Sequence, residues 1–91
     1  MAYRRYGRSG DWYIYWESSS AKSKEDERLA VWHIDHRASR PNFSYREIQD
    51  MLAVHDFGRV PGSSTQETDV LRRAFEELVA DVDTEYRQRA S

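Results

Sequence analysis

Residues 11–17, Asp-Trp-Tyr-Ile-Tyr-Trp-Glu, constrain the fold more than any other segment, because the five central residues are all aromatic or β-branched. Such residues favour an extended strand with a half-buried face. Successive side chains of a strand point to opposite faces, so both tryptophans and Ile14 share one face, whereas Tyr13 and Tyr15 share the other. The face with the tryptophans is the more apolar, and we expect it to face the core.

Two further strands are predicted beside this one, which gives an antiparallel meander over residues 1–36. Residues 28–36 form a second run rich in apolar side chains, and residues 2–6 form a shorter first strand. The sequence Gly-Arg-Ser-Gly that follows is typical of a tight turn. Residues 18–27 are polar and lack apolar anchors, so we expect them to form a mobile loop between the second and third strands.

Alternation along the third strand assigns its side chains to the two faces of the sheet. We expect Ala30, Trp32 and Ile34 on the core face, beside the tryptophans of the second strand. The opposite face is then predicted to carry Tyr13, Tyr15, Leu29, Val31 and His33.

The second half of the chain is predicted to be helical. Ser44, followed three residues later by Glu47, is a capping box that begins a short helix over residues 44–55. Glycine and proline residues then break the chain. Ser64 is predicted to begin a long C-terminal helix over residues 64–88, whose apolar residues recur at helical spacing.

These elements predict an α+β fold: a three-stranded antiparallel β-meander followed by two α-helices packed on one face, in the order β-β-β-α-α. Ninety-one residues suffice for one small domain, so we expect a single domain over residues 1–91. The predicted core consists of Trp12, Ile14, Trp16, Trp32, Ile34, Ile48, Leu52, Leu71, Phe75 and Leu78.

The predicted C-terminal helix is longer than the sheet beneath it. A helix of this length spans about 36 Å, whereas a seven-residue strand spans about 23 Å. We therefore expect Val82 and Tyr86 to lie beyond the edge of the sheet. Together with the apolar residues before them they are spaced like the seam of a coiled coil, which would allow a homodimer through the C-terminal helix. The alternative is a solvated helix end.

Composition excludes several classes of function. The chain has no cysteine, so a disulfide scaffold and a thiol nucleophile are excluded. His33, Asp35 and His36 are candidates for a metal or acid–base site, but neighbouring histidines of opposite parity point to opposite faces of a strand. We expect no enzymatic activity, no bound metal and no cofactor.

Membrane association is not expected either. The chain has no apolar run near the roughly 20 residues of a membrane span, and its first residues form no hydrophobic signal core. We expect a cytoplasmic protein.

Two further surfaces are candidates for binding. Tyr13, Tyr15 and His33 are predicted to lie on the uncovered face of the sheet, where tyrosine and histidine suit a protein interface; an ordinary solvated sheet face is the alternative. The second candidate is a patch on the first strand formed by Arg4, Arg5 and Arg8, which, with the tyrosines, would suit phosphate and base contacts.

The sequence favours a small non-enzymatic protein-binding module, such as a regulator, an adaptor or a phage-type inhibitor, that docks on a larger protein partner through the exposed aromatic sheet face, the C-terminal helix or both. The alternative is a nucleic-acid-binding domain that uses the arginines and tyrosines of the first strand and the sheet face. The net charge of -2 weakens this alternative, because phosphate neutralisation supplies most non-specific affinity for nucleic acids.

Overall fold

The structure, a computed structural model, describes residues 4–17, 23–63 and 68–90. Within these residues the chain forms an α+β fold with one antiparallel sheet and two helices, as predicted. The strands are β1 (Arg4–Ser9), β2 (Trp12–Glu17), β3 (Arg28–His33) and β4 (Asn42–Ser44), and the helices are α1 (Tyr45–Val54) and α2 (Thr68–Ala90). Short 3-10 turns lie at Lys24–Asp26 and Ile34–His36.

The sheet has four strands rather than the predicted three, in the order β1-β2-β3-β4. The predicted third strand ends at His33, and the 3-10 turn that follows reverses the chain so that β4 pairs with β3. Ala30 lies opposite Asn42 and Leu29 opposite Phe43 in this pairing. A strand of three residues is too short to show the alternation that identifies strands in a sequence.

The first hairpin turns later in the chain than predicted. The predicted strand 2–6 is observed as β1 (Arg4–Ser9), which continues through Gly7, and the turn consists of Gly10 and Asp11. Gly10 has φ 60°, a left-handed conformation that glycine adopts without steric cost. A two-residue turn of this kind suits the twist of a hairpin, and it is observed in place of the predicted four-residue turn.

The short helix is confirmed. Ser44 Oγ accepts a hydrogen bond from the Glu47 backbone N–H, and the Glu47 carboxylate accepts one from the Ser44 N–H, so both halves of the capping box are present. Helix α2 ends at Ala90, two residues later than predicted. Its predicted N-cap, Ser64, lies outside the described residues.

The predicted mobile loop is only partly described. Residues 18–22 lie outside the described part of the chain. Residues 24–26 form a 3-10 turn, and the following Glu27 is completely buried. This part of the loop is anchored by the carboxyl group of Glu27 rather than by an apolar side chain.

The register of β2 and β3 reverses the predicted assignment of β3 side chains to the two faces. Trp12 lies opposite His33, Ile14 opposite Val31, and Trp16 opposite Leu29. Directly paired residues of an antiparallel sheet lie on the same face. Leu29, Val31 and His33 are therefore on the core face, and Ala30 and Trp32 lie on the face of the tyrosines.

The core lies between the sheet and the two helices. Seven of the ten predicted core residues belong to it; of the others, Leu52 packs half-buried against it, Trp32 is buried on the opposite face, and Ile34 is half-buried in a 3-10 turn. The core residues are Trp12, Ile14, Trp16, Leu29, Val31, Phe43, Tyr45, Ile48, Met51, Phe57, Val60, Leu71, Ala74, Phe75, Leu78 and Val82.

Replacing Phe75 by alanine should lower the free energy of unfolding by about 3–5 kcal/mol. Phe75 is fully buried, and its ring stacks on Phe57 at 5.7 Å and meets the edge of Phe43 at 6.5 Å. Urea unfolding followed by tryptophan fluorescence measures the change. The control is Arg73→Ala on the exposed side of the same helix, which should cost less than about 0.5 kcal/mol. Equal costs for the two variants would contradict the assigned core.

Stability should fall in acid as Glu47 becomes protonated. The hydrogen bond from the Ser44 backbone and the one from Arg59 lower the pKa of Glu47 from 4.5 to about 2. Because the folded state has the lower pKa, this contribution is complete above pH 4.5 and is lost as the pH falls towards 2. Unfolding measured across this range should show a smaller decline for Glu47→Gln than for the wild type. Parallel declines would show that Glu47 adds nothing to acid sensitivity.

Candidate functional site

The face of the sheet opposite the helices carries a group of large aromatic side chains. Tyr6 pairs across the strands with Tyr15, and Tyr13 pairs with both Arg8 and Trp32. We call this surface the aromatic face and define it by its members: Tyr6, Arg8, Tyr13, Tyr15, Ala30, Trp32, Arg40 and Asn42.

Three rings of the aromatic face pack on one another. The Tyr13 and Trp32 rings are stacked, with centroids 5.7 Å apart and planes 14° apart. The Tyr6 ring lies 6.1 Å from Tyr13 and 6.2 Å from Trp32. Trp32 is only 7% exposed, whereas Tyr6 is 58% exposed. The cluster is therefore a packed base with one prominent tyrosine rather than a set of independent side chains.

Two arginine side chains lie over rings at the edges of this cluster. The Arg8 guanidinium carbon lies 5.3 Å from the centre of the Tyr13 ring, and that of Arg40 lies 5.0 Å from the centre of the Trp32 ring. Both distances suit cation–π attraction. Arg8 also lies 3.5 Å from the carboxylate of Asp11. Arg40 donates from Nε to the Arg37 carbonyl oxygen, and no carboxylate of the described residues pairs with it.

A cleft of about 420 Å³ opens on the aromatic face. It exists because Ala30 lies directly opposite Tyr15 on one side and Asn42 on the other, so a small side chain separates larger ones. The cleft is lined by Tyr6, Tyr15, Ala30, Trp32, Arg40 and Asn42.

His33 was predicted on this surface and is not there. It is 6% exposed on the core side, and its ring meets the edge of the Trp12 ring at 5.0 Å. Its Nδ1 accepts a hydrogen bond from the Asp35 backbone N–H. The place predicted for His33 is taken by Trp32, the residue before it, because the pairing register is shifted by one residue from the predicted one.

The arginines of the first strand do not form one patch. Arg5 lies on the helix side, where its Nε donates to the Asp81 carboxylate and its Nη2 lies 3.8 Å from Glu77. Arg8 lies on the aromatic face. The register places the backbone of Arg4 opposite Glu17, and the Arg4 side chain lies outside the described atoms. The predicted nucleic-acid patch is therefore divided between two faces.

The predicted exposed pair at the end of the C-terminal helix is not exposed. Val82 is fully buried, and Tyr86 packs half-buried against the core. The Tyr86 hydroxyl donates to Glu27, and the second carboxyl oxygen of Glu27 accepts a hydrogen bond from Trp16 Nε1 at 2.9 Å. The length comparison of helix and sheet failed because the turn at Lys24–Asp26 covers this part of α2. Within one chain these residues form no exposed apolar seam.

The remaining residues considered from the sequence are His33, Asp35 and His36, for which no metal or acid–base site was expected. The His33 and His36 rings lie 6.1 Å apart. Among the residues that the structure describes, no three histidine, aspartate or glutamate side chains are grouped so that they could hold a metal ion. The helices of the described chain also lack any stretch long and apolar enough to cross a membrane.

Sequence reasoning placed Tyr6 with the arginines of the first strand, as a candidate for nucleic-acid contacts, but it did not identify Trp32 and Arg40 as parts of this surface. Tyr6 shares the parity of Arg4 and Arg8, and alternate residues of a strand share a face. Arg40 lies in the segment between β3 and β4, so strand alternation gives no signal for it.

No protein-family model, curated protein or solved structure matches this chain. The candidate function is therefore argued from the geometry of the aromatic face.

Replacing Tyr86 by phenylalanine should lower the free energy of unfolding by about 1–3 kcal/mol, because a buried carboxyl group of Glu27 loses a hydrogen-bond donor. Burial and the hydrogen bond to Glu27 also raise the pKa of Tyr86 to about 12. Chemical denaturation gives the cost. Tyr6→Phe is the matched control, since it removes the hydroxyl of a tyrosine that is 58% exposed. If the two substitutions cost the same, Glu27 does not hold the end of α2.

Proposed function

We propose that the chain is a small non-enzymatic protein-binding module, a regulator, adaptor or inhibitor, that docks on a larger protein through the aromatic face. The observation that supports this most directly is the cluster of Tyr6, Tyr13 and Trp32, bordered by Arg8 and Arg40 on the uncovered side of the sheet. Tyrosine, tryptophan and arginine are the residues most enriched at the energetic centres of protein interfaces.

The packing of the cluster favours binding. Each ring is held by another ring or by an arginine, so the side chains lose little freedom when a partner covers them. Tyr6 stands out of the surface and offers a large apolar area to a partner. A pre-organised aromatic surface of this kind needs no rearrangement to serve as an interface.

Nucleic-acid binding is less well supported. Proteins that bind single strands stack bases on accessible aromatic rings. Here one side of the Trp32 ring meets Tyr13, and Arg40 also lies over the ring, which leaves Trp32 only 7% exposed. Arg5 pairs with acidic residues of α2 and does not face the same way as Arg8. Among the side chains that the structure describes, Arg5 and Arg8 therefore do not form one phosphate-binding patch.

The test compares the wild type with the double variant Tyr6→Ser/Tyr13→Ser. Each immobilised protein is exposed to an extract of the organism that encodes it, and retained proteins are identified and then purified for affinity measurement. An interface centred on these rings should lose at least about 30-fold in affinity, since one central aromatic side chain contributes about 2 kcal/mol or more. Thermal unfolding checks that the double variant is folded.

The matched control is Val54→Ser, which removes a large exposed apolar side chain (71% exposed) from α1, the helix on the other side of the sheet. It should bind like the wild type. A partner retained equally by all three proteins would contradict the proposal. Retention that disappears on nuclease treatment would favour the nucleic-acid alternative.

A further inference from the structure

We propose that the cleft of the aromatic face receives one apolar side chain from an acidic segment of the partner, and that Arg40 pairs with a carboxylate beside that side chain. This inference rests on the proposed function and specifies the chemistry of the partner. It comes from three features of the cleft: its size, its lining and the charge at its rim.

The lining of the cleft indicates an apolar side chain, and its size leaves room for one. Its volume of about 420 Å³ lies near the lower end of the roughly 300–1,000 Å³ of clefts that bind small molecules. Tyr6, Tyr15 and Trp32 provide aromatic walls, and Ala30 provides a small base between them. A leucine-sized or aromatic side chain suits such a site, because its burial removes apolar surface from water on both partners.

The charge at the rim indicates an acidic neighbour for that side chain. Of the arginine side chains that the structure describes on or beside this face, Arg8 lies 3.5 Å from Asp11 and Arg28 lies 3.6 Å from Glu47. The acidic group nearest the cleft in sequence, Glu17, accepts a hydrogen bond from the Tyr15 hydroxyl. Arg40 is the cleft-lining arginine, and no carboxylate of the described residues pairs with it.

Arg40 is also held in position to bind. Its Nε donates to the Arg37 carbonyl oxygen at 2.7 Å while its guanidinium lies over the Trp32 ring. The two Nη groups have no hydrogen-bond partner among the described residues. A guanidinium with free Nη donors can take a carboxylate in a bidentate arrangement, which is short and directional. An Asp or Glu close in sequence to the apolar anchor would meet it.

The test selects a random peptide library, displayed on phage, against the wild type and counter-selects it against Ala30→Leu, in which the added side chain fills the cleft. We expect the enriched peptides to carry an aromatic or aliphatic residue next to Asp or Glu. Synthetic copies of these peptides are then titrated against Arg40→Gln and against Arg73→Gln, a matched charge change on α2. Arg40→Gln should lose about tenfold or more in affinity, whereas Arg73→Gln should change it less than about twofold.

The possible failures are distinguishable. Enriched peptides that are basic or uncharged, bind the cleft and tolerate Arg40→Gln would overturn the acidic pairing and leave the proposed function standing. Peptides selected on the wild type without the counter-selection that bind Ala30→Leu and Tyr6→Ser as tightly as the wild type would bind elsewhere and contradict both. No enrichment at all would overturn this inference, while the extract experiment still tests the proposed function. Arg40 is exposed, so Arg40→Gln remains informative even if Ala30→Leu fails to fold.

Discussion

The fold depends on a completely buried carboxyl group. Glu27 accepts hydrogen bonds from Trp16 Nε1 of β2 and from the Tyr86 hydroxyl of α2, and its backbone carbonyl accepts one from the Tyr45 N–H at the start of α1. A polar group taken out of water costs free energy unless its hydrogen bonds are made, so these partners must all be in place together. Glu27, which immediately precedes β3, is therefore hydrogen-bonded to the second strand and to both helices.

That position links Glu27 to the aromatic face. Because it lies one residue before β3 and is bonded to Trp16, it favours the register in which Trp16 faces Leu29. The same register sends Leu29 and Val31 into the core and leaves Trp32 on the outside, where it stacks on Tyr13. The aromatic face is thus a consequence of the way the buried side of the sheet is paired.

Sequence reasoning correctly predicted the elements that are determined by local signals. The start of helix α1 could be placed because its capping box, Ser44 with Glu47, lies entirely within four residues. The register of β2 and β3 could not be placed, since it depends on how the intervening loop folds, and a polar loop gives no sign that Glu27 will be buried. A one-residue error then moved His33 and Trp32 to the wrong faces, and with them part of the candidate site.

The two faces of β3 are therefore not independent. Residues of one parity stabilise the core, and those of the other parity, Ala30 and Trp32, supply the base and one wall of the cleft. A slip of one residue would expose Leu29 and Val31 and bury Trp32 against the helices, which would destroy the core and the aromatic face together. Selection for a stable register is then also selection for the aromatic face. The open side of the sheet is kept in shape by interactions made on its buried side. This explains how so small a chain can present packed aromatic groups on a sheet face that no second layer of helices covers.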